Sequence, residues 1–191
     1  QAATVADGAF YSNLAAGLFI LPFFLFSGMA GQIAEKLEKS KLISIVKFCE
    51  IPIMLVGVVS ILTEQVWLML GTVFLMGLQS TFFGPLKYSI LPQHVAPNEL
   101  TKANGLVESG TFVAILLGTV FGTYYITQTA GPIYISIAIV SLAVIGFLSS
   151  RFIPKSAAND ANLKVSINPI TSTKSVFNAL NNVDLRGQGK M

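Results

Sequence analysis

The stretch Ser12–Ala34 reads SNLAAGLFILPFFLFSGMAGQIA, twenty-three residues without one Asp, Glu, Lys or Arg. About 20 mostly apolar residues in a helix cross the hydrocarbon core of a bilayer, so this segment predicts a membrane span. Four further runs meet the same test: Leu42–Leu62, with Lys47 and Glu50 near one end and Pro52 near its middle; Val66–Gly84, without charge; Ala103–Ile126, interrupted only by Glu108; and Pro132–Ser150. None alternates with a period of two, and each is about twice the length a barrel strand needs. Backbone left unpaired in lipid is too costly for anything but helices. The expected fold class is therefore an all-α polytopic membrane protein with five transmembrane helices, the second of them kinked at Pro52.

Composition agrees. The chain of 191 residues is 53% hydrophobic and 11% charged, whereas soluble domains carry about 25% charged residues. Twelve Lys/Arg and nine Asp/Glu do not cover a soluble exterior, and they cluster between the apolar runs. The net charge of +3 follows the membrane boundary and not one face, which argues against nucleic acid as a partner. The single cysteine, Cys49, lies in an apolar run and offers neither a disulfide nor a metal-ligand spacing. The lone histidine, His94, reads as a solvated loop residue. With no zinc, phosphate-loop or nucleophile motif in the sequence, no metal, cofactor or catalytic residue is expected.

The cations set a direction. Lys36, Lys39, Lys41 and Lys47 fall at the first turnaround, Lys87 and Lys102 at the third, and Arg151, Lys155, Lys164, Lys174, Arg186 and Lys190 after the last span. Residues 1–11, 63–65 and 127–131 contain none. By the positive-inside rule the residue-1 end is outside and the tail from Pro154 is cytoplasmic. Five spans with an external start suggest that one preceding helix is missing and that both ends are truncations. The restored unit would be a six-helix half of a twelve-helix carrier, with residues 1–153 forming helices two to six and residues 154–191 the start of a cytoplasmic link to the second half. In that tail, Ile170, Val176, Phe177, Leu180 and Val183 fit one side of a short surface helix, and a flexible linker fits as well.

Within the spans, Gly110, Ala114, Gly118 and Gly122 recur every fourth residue, a strip that permits close helix packing. Asn104, Glu108, Thr111 and Ile115 form another line along the same helix. A carboxylate inside a membrane costs on the order of 2.5–3.5 kcal/mol on insertion scales and is expected to face a partner or water. Two readings of Glu108 stand: a headgroup or ion contact, or an interhelical pair with a basic residue. Lys47 and Glu50, three apart, read as a structural ion pair near the cytoplasmic boundary, with Lys47 snorkelling outward. Gln79 and Ser80 add hydrogen-bonding groups to the third span.

The first basic turn, Gly31–Lys41, reads GQIAEKLEKSK and resembles the loop signature of the major facilitator superfamily. Gly31, Glu35, Lys36, Lys39 and Lys41 match it, with Glu35 where aspartate is usual and Glu38 where a second glycine is common. The resemblance implies a conformational latch made of close helix contact at the glycine and a network of the acid with the cations. A longer likeness runs from about Asn13 to Arg151. Its carriers are Asn13–Ser27 (NLAAGLFILPFFLFS), Phe82–Pro92 (FFGPLKYSILP), Asn98–Thr101 (NELT) and Ala103–Glu108 (ANGLVE), and together they look like the bacterial lysophospholipid transporter family.

That resemblance implies a carrier of the bacterial inner membrane that takes lysophospholipid, chiefly lysophosphatidylethanolamine, to the inner leaflet by alternating access and performs no covalent chemistry. Its partners would be the substrate, the bilayer, the missing first helix and the second half. A zwitterionic headgroup needs an acid or amide for its ammonium and a cation for its phosphate. Glu108, Asn104, Gln79 and Lys87 are the candidates, although Lys87 equally fits a loop lysine among anionic headgroups. Two other expectations stand beside this one: the membrane part of a protein fused to acyltransferase and acyl-carrier-protein synthetase domains, and a carrier of drugs or small solutes.

Overall fold

The computed structural model describes residues 5–160, 163 and 165. Five helices account for most of it: α1 Val5–Lys36, α2 Lys39–Leu62, α3 Val66–Ser89, α4 Leu100–Ile126 and α5 Gly131–Ser150. Two single 3₁₀ turns, Leu91–Gln93 and Pro97–Glu99, link α3 to α4. All five are long and apolar enough to cross a membrane, and no strand occurs among the described residues. Each apolar run lies inside a helix that continues past it, most clearly at the basic end, where α3 runs through Pro85 to Ser89. Backbone hydrogen bonding does not stop where hydropathy falls, so helix ends are set by the turns. Pro52 lies inside α2, which is assigned as one helix through it.

Sequence neighbours are not spatial neighbours. α3 lies between α1 and α2, and α2 lies between α3 and α5, while α4 touches the bundle chiefly through α5. The order across the bundle is α1, α3, α2, α5, α4. A buried cluster of Ala34, Ile43, Val46, Leu86 and Ile90, backed by Phe82, Phe83 and Ile153, closes the basic end. Outside it, large apolar side chains face outward along every helix, Phe24 at 80% exposure and Trp67 at 72% among them. Lipid is the solvent that such a surface fits.

Packing without a hydrophobic driving force relies on close approach. A Cβ on Gly77 of α3 would stand 2.3 Å from the Phe19 carbonyl oxygen of α1, so backbone meets backbone there. Ala30, Ala34 and Ala143 are almost wholly buried. Most span hydroxyls return to the carbonyl three or four residues back, as in Thr72 to Leu68, Thr81 to Gly77 and Ser60 to Gly57, which spares lipid an unpaired donor. The end without cations carries aromatic rings: Tyr11 sits edge-on to Trp67, and Tyr125 to Tyr134, as membrane interfaces favour.

The α2–α3 turn is a Schellman motif in which Gln65 N–H donates to Ser60 O at 3.2 Å and Glu64 N–H to Ile61 O at 3.4 Å. Glu64 occupies its left-handed position, φ 54°. The left-handed conformation costs an L residue roughly 1–2 kcal/mol, and glycine gives back part of that gain in chain entropy. Glu64→Gly should therefore raise stability by about 0.5–1 kcal/mol. Gly77→Ala should lower it by about 2–3 kcal/mol, because α1 and α3 must separate. Thermal unfolding of the full-length protein in detergent measures both.

Candidate functional site

Two ionic clusters lie within the helices, and α3 contributes to both. In the first, Lys87 near the end of α3 reaches across to α4. Its Nζ lies 3.5 Å from Glu108 Oε1, donates to Thr111 Oγ1 at 3.2 Å, and stands 4.8 Å from the Tyr88 ring centre. The Tyr88 hydroxyl donates to the same Glu108 oxygen. Thr111 accepts from Lys87 because its own hydrogen is given to the Val107 carbonyl. The Glu108 side chain remains 41% exposed, so the pair forms part of an open wall. Asn104, one turn earlier, is exposed on the same helix and takes no part in these bonds.

The second cluster holds Gln79, away from Glu108. Glu50 Oε2 accepts from Lys47 Nζ at 2.8 Å and from Gln79 Nε2 at 3.1 Å, and Lys47 lies 4.7 Å from the Phe83 ring centre. These groups, with Ser80, line a cavity of about 210 Å³ between α2 and α3. The apolar run predicts the pair near a membrane boundary. In α2, which begins at Lys39, Glu50 lies about 16 Å along the helix.

At the basic end Glu35 and Lys39 are joined through the chain that follows α5. Asn159 donates its side-chain amide to Glu35 and accepts from Lys39 Nζ at 2.9 Å and from Gln93 Nε2 at 2.9 Å. The Asn159 and Asp160 N–H groups donate to the Glu35 carbonyl, and Lys39 N–H donates to Ser156 O. His94, expected as a plain loop residue, is exposed and pairs with Ser156 Oγ at 2.8 Å. Lys39 is completely buried. Residues 154–160 thus strap the α1–α2 turn to the α3–α4 connection. Lys36 and Lys41 form no ion pair among the described residues, and Gly31 has open space at its Cβ position. Beside this strap, Ser27, Gly31, Glu35, Pro85 and Tyr88 border a groove of about 570 Å³.

Along the small-residue strip of α4, no described residue lies within 4 Å of a Cβ placed on Gly110, Gly118 or Gly122, and Ala114 is exposed. Among the described residues close approach falls at Gly77, and Ala30, Ala34 and Ala143 are buried. The surface-helix reading of Ile170, Val176, Phe177, Leu180 and Val183 falls outside the described residues. Tyr88, Ser156 and Asn159 are the participants that sequence reading missed. Tyr88 follows Lys87 directly in FFGPLKYSILP, and that adjacency is the signal for it in the sequence. Nothing in Ser156–Asp160 distinguishes it from a linker.

Asn159→Ala strips the buried Lys39 of its side-chain partner. It should lower stability by about 2 kcal/mol and expose the 154–160 segment to protease. Thermal unfolding and timed proteolysis of the full-length protein read the two effects.

Comparison with known proteins agrees with this architecture. The profile of the Major Facilitator Superfamily matches residues 6–182. A protein named lysophospholipid transporter LplT from Escherichia coli O6:K15:H31 (strain 536) is 31% identical over 172 residues, 90% of this chain and 41% of that protein. LplT of Shigella dysenteriae serotype 1 gives the same identity and coverage, and LplT of E. coli O1:K1 is 30% identical over 174 residues, again 90% and 41%. The chain thus spans about two fifths of the length of these relatives. No solved structure matches it significantly. With nearly its whole length covered by the family profile and five apolar helices in one bundle, the chain belongs to the major facilitator superfamily.

Proposed function

We propose that the complete protein is a secondary transporter that moves lysophospholipid, chiefly lysophosphatidylethanolamine, across the bacterial inner membrane by alternating access. In this reading the chain supplies five helices of its first half, with the residue-1 end periplasmic and the tail cytoplasmic. A further helix and a second half form the rest of the path.

One observation carries the substrate reading: Lys87 and Glu108 stand opposed on two helices, 3.5 Å apart, with Tyr88 beside them and the carboxylate partly open. A zwitterionic headgroup bears the same two charges in complementary sense. Its ammonium fits Glu108 and its phosphate fits Lys87, so one internal pair is exchanged for two charge-assisted contacts. The charge balance of the wall is unchanged with or without substrate, which keeps the empty carrier from burying a lone charge. Asn104 adds an amide on the approach. The acyl chain lies along the outward apolar side chains Phe112, Ile115 and Leu116 of α4. The name of the LplT relatives supports this substrate class.

Inward movement of labelled lysophospholipid by the full-length protein in vesicles tests the proposal. Glu108→Gln preserves size and an acceptor for Tyr88 but removes the negative charge. It should cut lysophosphatidylethanolamine movement at least about tenfold, as loss of one charge-assisted contact implies, and affect lysophosphatidylglycerol, which has no ammonium, much less. Equal loss for both headgroups in a folded variant would assign Glu108 to scaffolding. No lipid movement by the parent protein, with transport of another solute, would reject the lipid reading.

A further inference from the structure

A second anion-receptive place lies at the basic end, on the side of the bundle formed by α2 and α5 and apart from Lys87 and Glu108. A pocket of about 350 Å³ is bordered there by Lys41, Arg151 and Lys155, with Glu38 and the hydroxyls of Ser40, Ser44 and Ser150. None of the three cations makes an ion pair among the described residues. The carboxylate of Glu38 accepts from Ser40 Oγ at 3.0 Å. Three cations against one carboxylate leave the pocket positive.

The backbone adds to this. In the first turn of α2, Lys39 N–H donates to Ser156 O and Leu42 N–H to Glu38 O. The N–H groups of Ser40 and Lys41 have no acceptor within the helix, and no side chain caps it. Two donors at a helix start, next to three cations, all without a partner among the described residues, suit a phosphate. The serine hydroxyls are already engaged, Ser44 with the Ser150 carbonyl and Ser150 with the Phe147 carbonyl. They fix the pocket floor, and recognition falls to the cations and the N–H pair.

Its position selects the source of that phosphate. Next in sequence to the lining residues Ser44 and Arg151 stand exposed apolar side chains, Ile45 on α2 and, just past α5, Phe152 at 86% exposure. A ligand seated there has hydrocarbon beside it and polar groups above it, the surroundings of a phospholipid at the edge of a bilayer. Basic pockets between membrane helices are known sites for anionic headgroups. We propose that this pocket binds the phosphate of an anionic glycerophospholipid from the leaflet at the basic end, and holds it as a resident lipid, not as cargo.

The test is native mass spectrometry of the full-length protein purified with dioleoylphosphatidylglycerol, together with its Arg151→Gln/Lys155→Gln variant. Both side chains are exposed, and unchanged thermal unfolding confirms that the variant is folded. Phosphatidylglycerol retention should weaken about fivefold for each charge removed, while Lys102→Gln, an exposed cation at the same end outside the pocket, leaves it unchanged. Dioleoylphosphatidylcholine should be retained poorly by all three proteins, and millimolar inorganic phosphate should not displace the lipid. Retention unaffected by the double substitution, or lost equally with Lys102→Gln, would overturn the site. Displacement by inorganic phosphate, or equal retention of phosphatidylcholine, would overturn the anionic lipid as its ligand.

Discussion

Lipid offers a peptide group no hydrogen-bond partner, and this constraint shapes every level of the molecule. It forces each crossing into a helix whose N–H and C=O groups are paired internally. It sends the hydroxyls of Ser60, Thr72 and Thr81 back to their own backbone. It also dictates that charges inside the bundle come as opposed pairs, Lys47 with Glu50 and Lys87 with Glu108. Between helices the attraction is that of close surfaces, which is why Gly77 lies directly against the Phe19 carbonyl.

α3 is the hub of this arrangement. It packs between α1 and α2 and contributes Gln79 and Phe83 to one ionic cluster and Lys87 and Tyr88 to the other. The clusters therefore share a rigid element, and a shift of α3 against either neighbour alters the geometry of both. The strap of Ser156 and Asn159 holds the turns on either side of α3 at the basic end, so the element that carries the polar side chains is also the one enclosed by the post-α5 segment.

The helices were legible because their signal is redundant: Ser12–Ala34 or Val66–Gly84 alone contains enough uncharged residues to settle its own fate. The pairing of Lys47 with Glu50 was legible for a similar reason, since three residues of helix bring them together. Contacts between distant segments were not. Gln79 looks equally suited to either cluster, and only the placement of α3 beside α2 assigns it to Glu50. The glycines of α4 read as a packing strip because periodicity reports which residues share a face, whereas it carries no information on whether another helix covers that face. Asn159 lies 124 residues from Glu35, and no local pattern encodes that meeting.

The order α1, α3, α2, α5, α4 bears on how the chain is assembled. As segments emerge in sequence, α1 and α2 precede α3, yet they scarcely touch each other. Their shared surface is the seat of a helix not yet made. The α1–α2 pair closes up only when α3 enters between its arms, and the Gly77 contact then joins α3 to α1. Firm packing of α1 and α2 into one unit therefore comes only with α3, and the order in which these helices enter the bilayer differs from the order in which they pack.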